Sequence, residues 1–252
     1  MLQFTAIAFA QWGYAAFAAD FPGHGRSDGL PCYISNMNKL IDSPLSYFKS
    51  VRNSKEFKGK PAFLYGESMG GAVALLMHLK DPEAWDGAIL AAPMIAHTET
   101  NKPSWLHYNA CRMLFGLADT WPIPSNGVEI VRLLYQDEER AKLDMLDPTP
   151  RYMGHRRVGS YRELLWIKDH IQKNMDNITL PFLTLHGSAD NCTEPQGSQL
   201  LVDKAKSKDK TVKFYDGAYH VLLQGEPEET RKLVLGDIKA WLDQHVDNAF
   251  QQ

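Results

Sequence analysis

The sequence predicts an α/β fold, a mostly parallel sheet with helices on both faces. Two observations predict it. Short apolar runs bounded by Gly and Pro alternate with longer helix-prone runs, the rhythm of strands joined by helical crossovers. In addition, Ser68, Asp190 and His220 each closely follow one of the apolar runs. The carboxyl ends of its strands are where an open α/β sheet presents its working groups.

Taken in order, residues 3–12 place Phe4, Ile7, Ala8 and Trp12 at helical spacing. Gly13 ends that helix, and 14–20 reads as a short buried strand. A loop rich in turn formers follows at 21–29, then an amphipathic helix at 36–54. A buried strand at 61–65 is broken by Gly66, residues 70–80 form an apolar helix, and 87–92 is a strand closed by Pro93. Between 94 and 178 the pattern changes to helical patches and turn prolines without a strand. That block reads as a helical cap inserted between two sheet strands. The rhythm then resumes with a strand at 181–186, a helix at 196–206, a strand at 211–215 and a long helix at 227–246. The chain, 1–252, is expected to form one domain carrying that cap.

Composition narrows the function classes. The 252 residues are 44% hydrophobic and 11% aromatic, enough for a packed core and too apolar for a disordered chain. Lys and Arg number 27 against 30 Asp and Glu, a net charge of −3, so no bulk charge draws the chain to nucleic acid. The basic run from Lys204 to Lys210 is interrupted by Asp209 and reads as a solvated helix end and loop. Three cysteines, Cys32, Cys111 and Cys192, are widely spaced, which argues against a disulfide framework or a structural zinc site. The nine histidines include no H-E-x-x-H, and neither metal nor cofactor is expected. No apolar run approaches the length of a membrane span. The apolar N-terminus lacks a basic n-region and reads as a helix, not a signal peptide. Together these features suggest a cytoplasmic protein.

The sharpest motif is Gly66-Glu67-Ser68-Met69-Gly70, a G-x-S-x-G. Chance supplies such a match in roughly one chain in ten of this length, so its position carries the argument: it lies between a strand and an apolar helix, as a nucleophile elbow must. The glycines permit a tight turn that lifts the Ser68 hydroxyl from the sheet edge, and the Met69 N–H heads the following helix as an oxyanion donor. A serine nucleophile needs a base, and the base an orienting acid. The elbow hydrolases place them in the order Ser, acid, His, which Asp190 and His220 satisfy. Asp216 also follows a strand but lies too near His220 in sequence to reach it easily. Glu67 is expected to make a local polar contact. Gly23-His24-Gly25 resembles part of a dinucleotide fingerprint, but position 28 is Asp and Leu30-Pro31 follows where a helix should open. The apolar segment 105–115 could line an acyl or aryl pocket, touch a lipid surface, or pack on its own domain.

The segments GHGRSDG, GESMGG, HGSAD and YHVLLQGEP together resemble the monoacylglycerol lipase-like branch of the α/β-hydrolases. That branch includes lysophospholipases and plant caffeoylshikimate esterases, in the serine aminopeptidase S33 type of hydrolase domain. The resemblance spans about residues 4 to 246, and RVGSYRELL and MLFGLADTWP are closest to the plant subgroup. It implies Ser68 as nucleophile, Asp190 as acid and His220 as base, acting on a hydroxycinnamoyl ester, with a monoacylglycerol or lysophospholipid as the alternative. Peripheral membrane contact through the cap would accompany a lipid substrate. In the family, a strand and a His-Gly loop precede the first helix, and that loop supplies half the oxyanion hole. The present sequence starts inside that helix, so those N-terminal strands are expected to be missing. Strands 14–20 and 62–66 would then pair directly or leave open edges. The loss of one oxyanion donor would cost about 10²–10³ in rate. A catalytically impaired form that binds a ligand or a full-length partner is the reading from a different class.

Overall fold

The structure is a computed structural model that describes residues 3–97, 116–123, 127–146 and 157–249. Four strands, β1 (Phe63–Glu67), β2 (Gly87–Ala91), β3 (Phe182–Gly187) and β4 (Lys210–Tyr215), form one sheet in the order β1-β2-β3-β4. All three ladders are parallel. Their central strands are buried along their whole length, as expected when helices cover both faces.

Alternation along the strands sorts side chains between two cores. Leu64, Ala88, Leu90 and Phe182 join the core formed with α2 (Met37–Arg52), α3 (Met69–Lys80), α6 (Val158–Lys173) and α7 (Pro195–Lys204). Ile89, Leu183 and Leu185 face the opposite core, against α8 (Glu228–Ala249) and the aromatic side chains Phe9 and Trp12 at the end of α1 (Gln3–Gln11). The apolar α3 is buried from Gly71 to His78, which explains its lack of a polar face. Asn36 caps α2 by accepting the Lys39 N–H at 3.0 Å, and Lys49 and Arg52 close the same helix with charge favourable to its dipole.

Two expectations for the first third of the chain change. Residues 14–20 are not a buried strand: they make no ladder, and 15–18 are exposed. Four of the seven side chains are alanine, so burying the segment would remove little apolar surface from water. Phe17 instead lies edge-on to Phe57. Consequently 14–20 does not pair with β1, which is an outer strand of the described sheet. Gly66 does not end β1 but sits within it. A Cβ on Gly66 would lie 2.3 Å from the Gly70 carbonyl oxygen, so the glycine serves the turn that follows.

Within 94–178 the described residues hold α4 (Gly127–Leu134), α5 (Glu138–Met145), α6 and one isolated antiparallel bridge between Pro122 and Arg157. The apolar segment 105–115 lies outside the described residues. Ile167 and Ile171 of α6 are fully buried in the main core. The N-terminal end of α6 clamps the long loop before α2: the Ser160 hydroxyl donates to the Cys32 carbonyl at 2.6 Å and accepts the Ile34 N–H at 2.9 Å. Glu163 accepts the Met37 N–H at 2.7 Å.

Gly187 ends β3 directly beneath the loop that follows β4. A Cβ there would stand 2.2 Å from the Ala218 carbonyl oxygen and 2.3 Å from that of Tyr219. Backbone on both sides leaves no flexible group to yield, so Gly187→Ala should lower unfolding stability by about 1–3 kcal/mol. A reduced urea midpoint at unchanged m-value would check it.

Candidate active site

The elbow follows from β1 and α3. Ser68 joins them with φ 53° and ψ −118°, a conformation that strains a non-glycine residue. Hydrogen bonds hold it there. The Ser68 N–H donates to the Ala91 carbonyl at 2.9 Å, while the Ser68 carbonyl accepts the N–H groups of Gly71 and Met94, each at 3.0 Å. Gly71 must also be small, because a Cβ would meet the Pro93 side chain at 2.7 Å. As the first residue of α3, Met69 has an N–H without an intrahelical acceptor.

Asp190 and His220 come together from the ends of β3 and β4. Asp190 Oδ2 lies 2.7 Å from His220 Nδ1, and both side chains are buried. Asp216 is engaged elsewhere and accepts the Ser188 hydroxyl at 3.1 Å. Among the described residues no hydrogen bond joins Ser68 Oγ to the His220 ring. The serine and the Asp–His pair thus stand at the same end of the sheet.

Asp190 accepts from five donors. Oδ1 receives the backbone N–H groups of Cys192 at 2.7 Å and Thr193 at 3.0 Å. Oδ2 receives the Thr193 hydroxyl at 2.8 Å, His186 Nε2 at 3.1 Å and His220. Burial by itself would raise this carboxyl, but the hydrogen bonds from His186 and His220, the His220 charge and the Thr193 N–H outweigh it. They hold Asp190 well below the usual carboxylate range. Thr193 also ties the site to β2, lying 3.1 Å from the carbonyl of Ala92, itself strained at φ 43°.

Two further carboxyls are buried, Glu67 near the histidine and Glu226 on the residue before it. Glu67 accepts the Tyr65 hydroxyl and, at 3.5 Å, the Gln224 amide, the local polar contact expected of it. Gln224 also donates to Thr5 of α1 at 2.9 Å. Burial raises the Glu67 carboxyl against the opposing influence of those bonds and of His220. Glu226 is fully buried and accepts the Tyr219 N–H at 2.7 Å, fixing the residue before His220. Burial raises it as well. His186, Thr193, Gln224 and Glu226 escaped the sequence reading. The available signal was period two within β3, where Phe182, Thr184 and His186 share a face and the last two are polar.

A protein-family model described as "Serine aminopeptidase, S33" matches residues 2–228. A caffeoylshikimate esterase of Arabidopsis thaliana is 47% identical over 248 residues, 98% of this chain and 74% of that protein. A monoglyceride lipase of Rattus norvegicus is 32% identical over 232 residues, 91% of this chain and 73% of that protein. Among solved structures, a monoacylglycerol lipase of Paleococcus ferrophilus superposes with a TM-score of 0.78 at 24% identity, over 97% of this chain and 89% of that one.

The depressed Asp190 carboxyl sets a pH signature. Its folded value lies below the ordinary 3.8, so its stabilising contribution is complete above that value and is lost as pH falls toward the folded one. The stability gap between wild type and Asp190→Asn, measured by urea unfolding, should stay constant above about pH 5 and narrow below about pH 4.

Proposed function

The chain belongs to the serine aminopeptidase S33 family and is a carboxylic ester hydrolase of the α/β-hydrolase fold; on that premise we propose that Ser68, His220 and Asp190 form its catalytic triad. The 2.7 Å contact between Asp190 and His220, beside the elbow serine, carries the reading. His220 Nε2 takes the Ser68 proton as Oγ attacks the ester carbonyl. The Met69 N–H, at the positive end of α3, donates to the oxyanion. Collapse of the tetrahedral intermediate expels the alcohol, which receives its proton from His220, and leaves an acyl-Ser68. Water, deprotonated by His220, then releases the acid and restores the serine. Throughout, Asp190 keeps the ring oriented with Nδ1–H toward itself and stabilises the imidazolium. No cofactor enters this scheme.

The substrate we propose is a small-molecule ester of a hydroxycinnamic acid. Its support is the 47% identity to a caffeoylshikimate esterase, against 32% to a monoglyceride lipase. The second reading, a monoacylglycerol or lysophospholipid met at a membrane surface, is favoured by exposed apolar side chains on and near the cap helices. Leu117 is 84%, Leu146 77%, Leu143 69% and Trp121 64% exposed. Among the described residues no helix is long and apolar enough to cross a membrane, so any such contact would be peripheral.

Ser68→Ala should abolish the single covalent adduct that a fluorophosphonate forms with the wild-type chain, read by intact mass. Persistent labelling would remove Ser68 as nucleophile, and a folded wild type that never labels would favour a binding role. Purified protein should turn over caffeoylshikimate with a higher kcat/KM than monooleoylglycerol. The reverse order, with co-sedimentation on liposomes, would favour the lipid reading.

A further inference from the structure

Asp190 faces two imidazoles. His186 Nε2 approaches the same Oδ2 atom that takes His220 Nδ1, at 3.1 Å against 2.7 Å. The side chains of His186 and Asp190 are both fully buried. On its other side His186 Nδ1 lies 2.8 Å from the Ser198 hydroxyl, which lies 3.0 Å from the Thr184 hydroxyl. Resting on the triad assignment above, we propose that His186 is a positioning residue for the reaction. It acts as a neutral imidazole whose Nε2–H holds the Asp190 carboxylate turned toward His220, with Ser198 setting its tautomer.

The direction of each hydrogen bond follows from the chemistry. An ionised Asp190 only accepts, so both rings must present N–H to it. A neutral His186 protonated on Nε2 has an accepting Nδ1, and the Ser198 hydroxyl fills that need. Ser198 can in turn accept from Thr184. Every group in the column is then satisfied without a second buried charge. A protonated His186 would instead compete for the carboxylate when His220 gains the Ser68 proton, placing two imidazolium ions on one anion. The groups that face His220 are Asp190 and Thr193 from the loop after β3 and Glu67 from β1. Glu226 acts on it only through the Tyr219 N–H. Of these, Asp190 and Thr193 also contact His186.

The inference is tested with His186→Gln, which can still offer an N–H near the Nε2 position, and His186→Met, which cannot. Turnover of an activated aryl ester is followed against pH, with circular dichroism and urea unfolding to verify the fold. Loss of one charge-assisted bond should lower kcat of His186→Met about tenfold to a hundredfold at unchanged KM. The acid limb of its kcat/KM profile should move to higher pH, because an Asp190 with one donor fewer stabilises the His220 imidazolium more strongly. His186→Gln should recover most of the rate. A folded His186→Met with wild-type kcat and profile would overturn the inference, as would equal loss in both folded variants. Should His186→Met not fold, Ser198→Ala keeps the ring but frees its tautomer. It should show a smaller loss in kcat at unchanged KM, and wild-type kcat there would count against the proposal. Failure of the triad reads differently: the wild-type chain itself would not label at Ser68.

Discussion

Four parallel strands in fixed register place Ser68, Asp190 and His220 at one end of the sheet. Glu67 pairs with Ala91, Ala91 with Leu185 and Gly187 with Tyr215, so the carboxyl ends of β1 to β4 step along a common line. Ser68, Ala92, the loop to Asp190 and the loop to His220 all leave from that line. A slip of one residue in any ladder would reverse which side chains meet each core and carry the attached loop out of reach. The apolar burial that secures the register therefore also secures the placement of these loops.

That end of the sheet is held under strain. Ser68 and Ala92 both adopt positive φ, at a cost of order 1–3 kcal/mol each. Backbone hydrogen bonds to the Ala91 carbonyl and from the N–H groups of Gly71 and Met94 hold the first. An N–H bond from Ala92 to the Leu185 carbonyl at 2.7 Å holds the second. At Ser68 the strained conformation makes the sharp turn from β1 into α3. Charge is handled similarly. Five donors converge on Asp190, so a buried anion remains ionised and can stabilise a cation forming beside it. Glu67 and Glu226 receive fewer donors, and burial prevails in raising them. These three buried carboxyls are thus differentiated by their hydrogen bonds.

The sequence made some elements legible and hid others for identifiable reasons. Runs such as Gly87–Ala91 and Phe182–Gly187 are short, mostly apolar and bounded by turn formers, so their identity as strands follows from composition. The stretch 14–20 has the same local appearance, yet it stays outside the sheet because a strand also needs a ladder partner, which local pattern cannot supply. Gly66 looked like a strand breaker; its place inside β1 depends on the Gly70 carbonyl folding back above it, a contact formed only by the complete turn.

The order Ser68, Asp190, His220, each placed after a strand, was determined by the sequence alone, because strand ends and turn chemistry are local properties. So was the α/β class, since it follows from alternation. Tertiary structure brought Asp190, which the sequence already favoured over Asp216, into contact with the histidine. It also decided that His186 and Thr193 share the carboxylate and that Glu226 holds the loop beneath it. The Asp190–His220 contact joins the loops that follow two different strands, β3 and β4. Their geometry depends on the twist and register of the whole sheet, which no window of sequence contains.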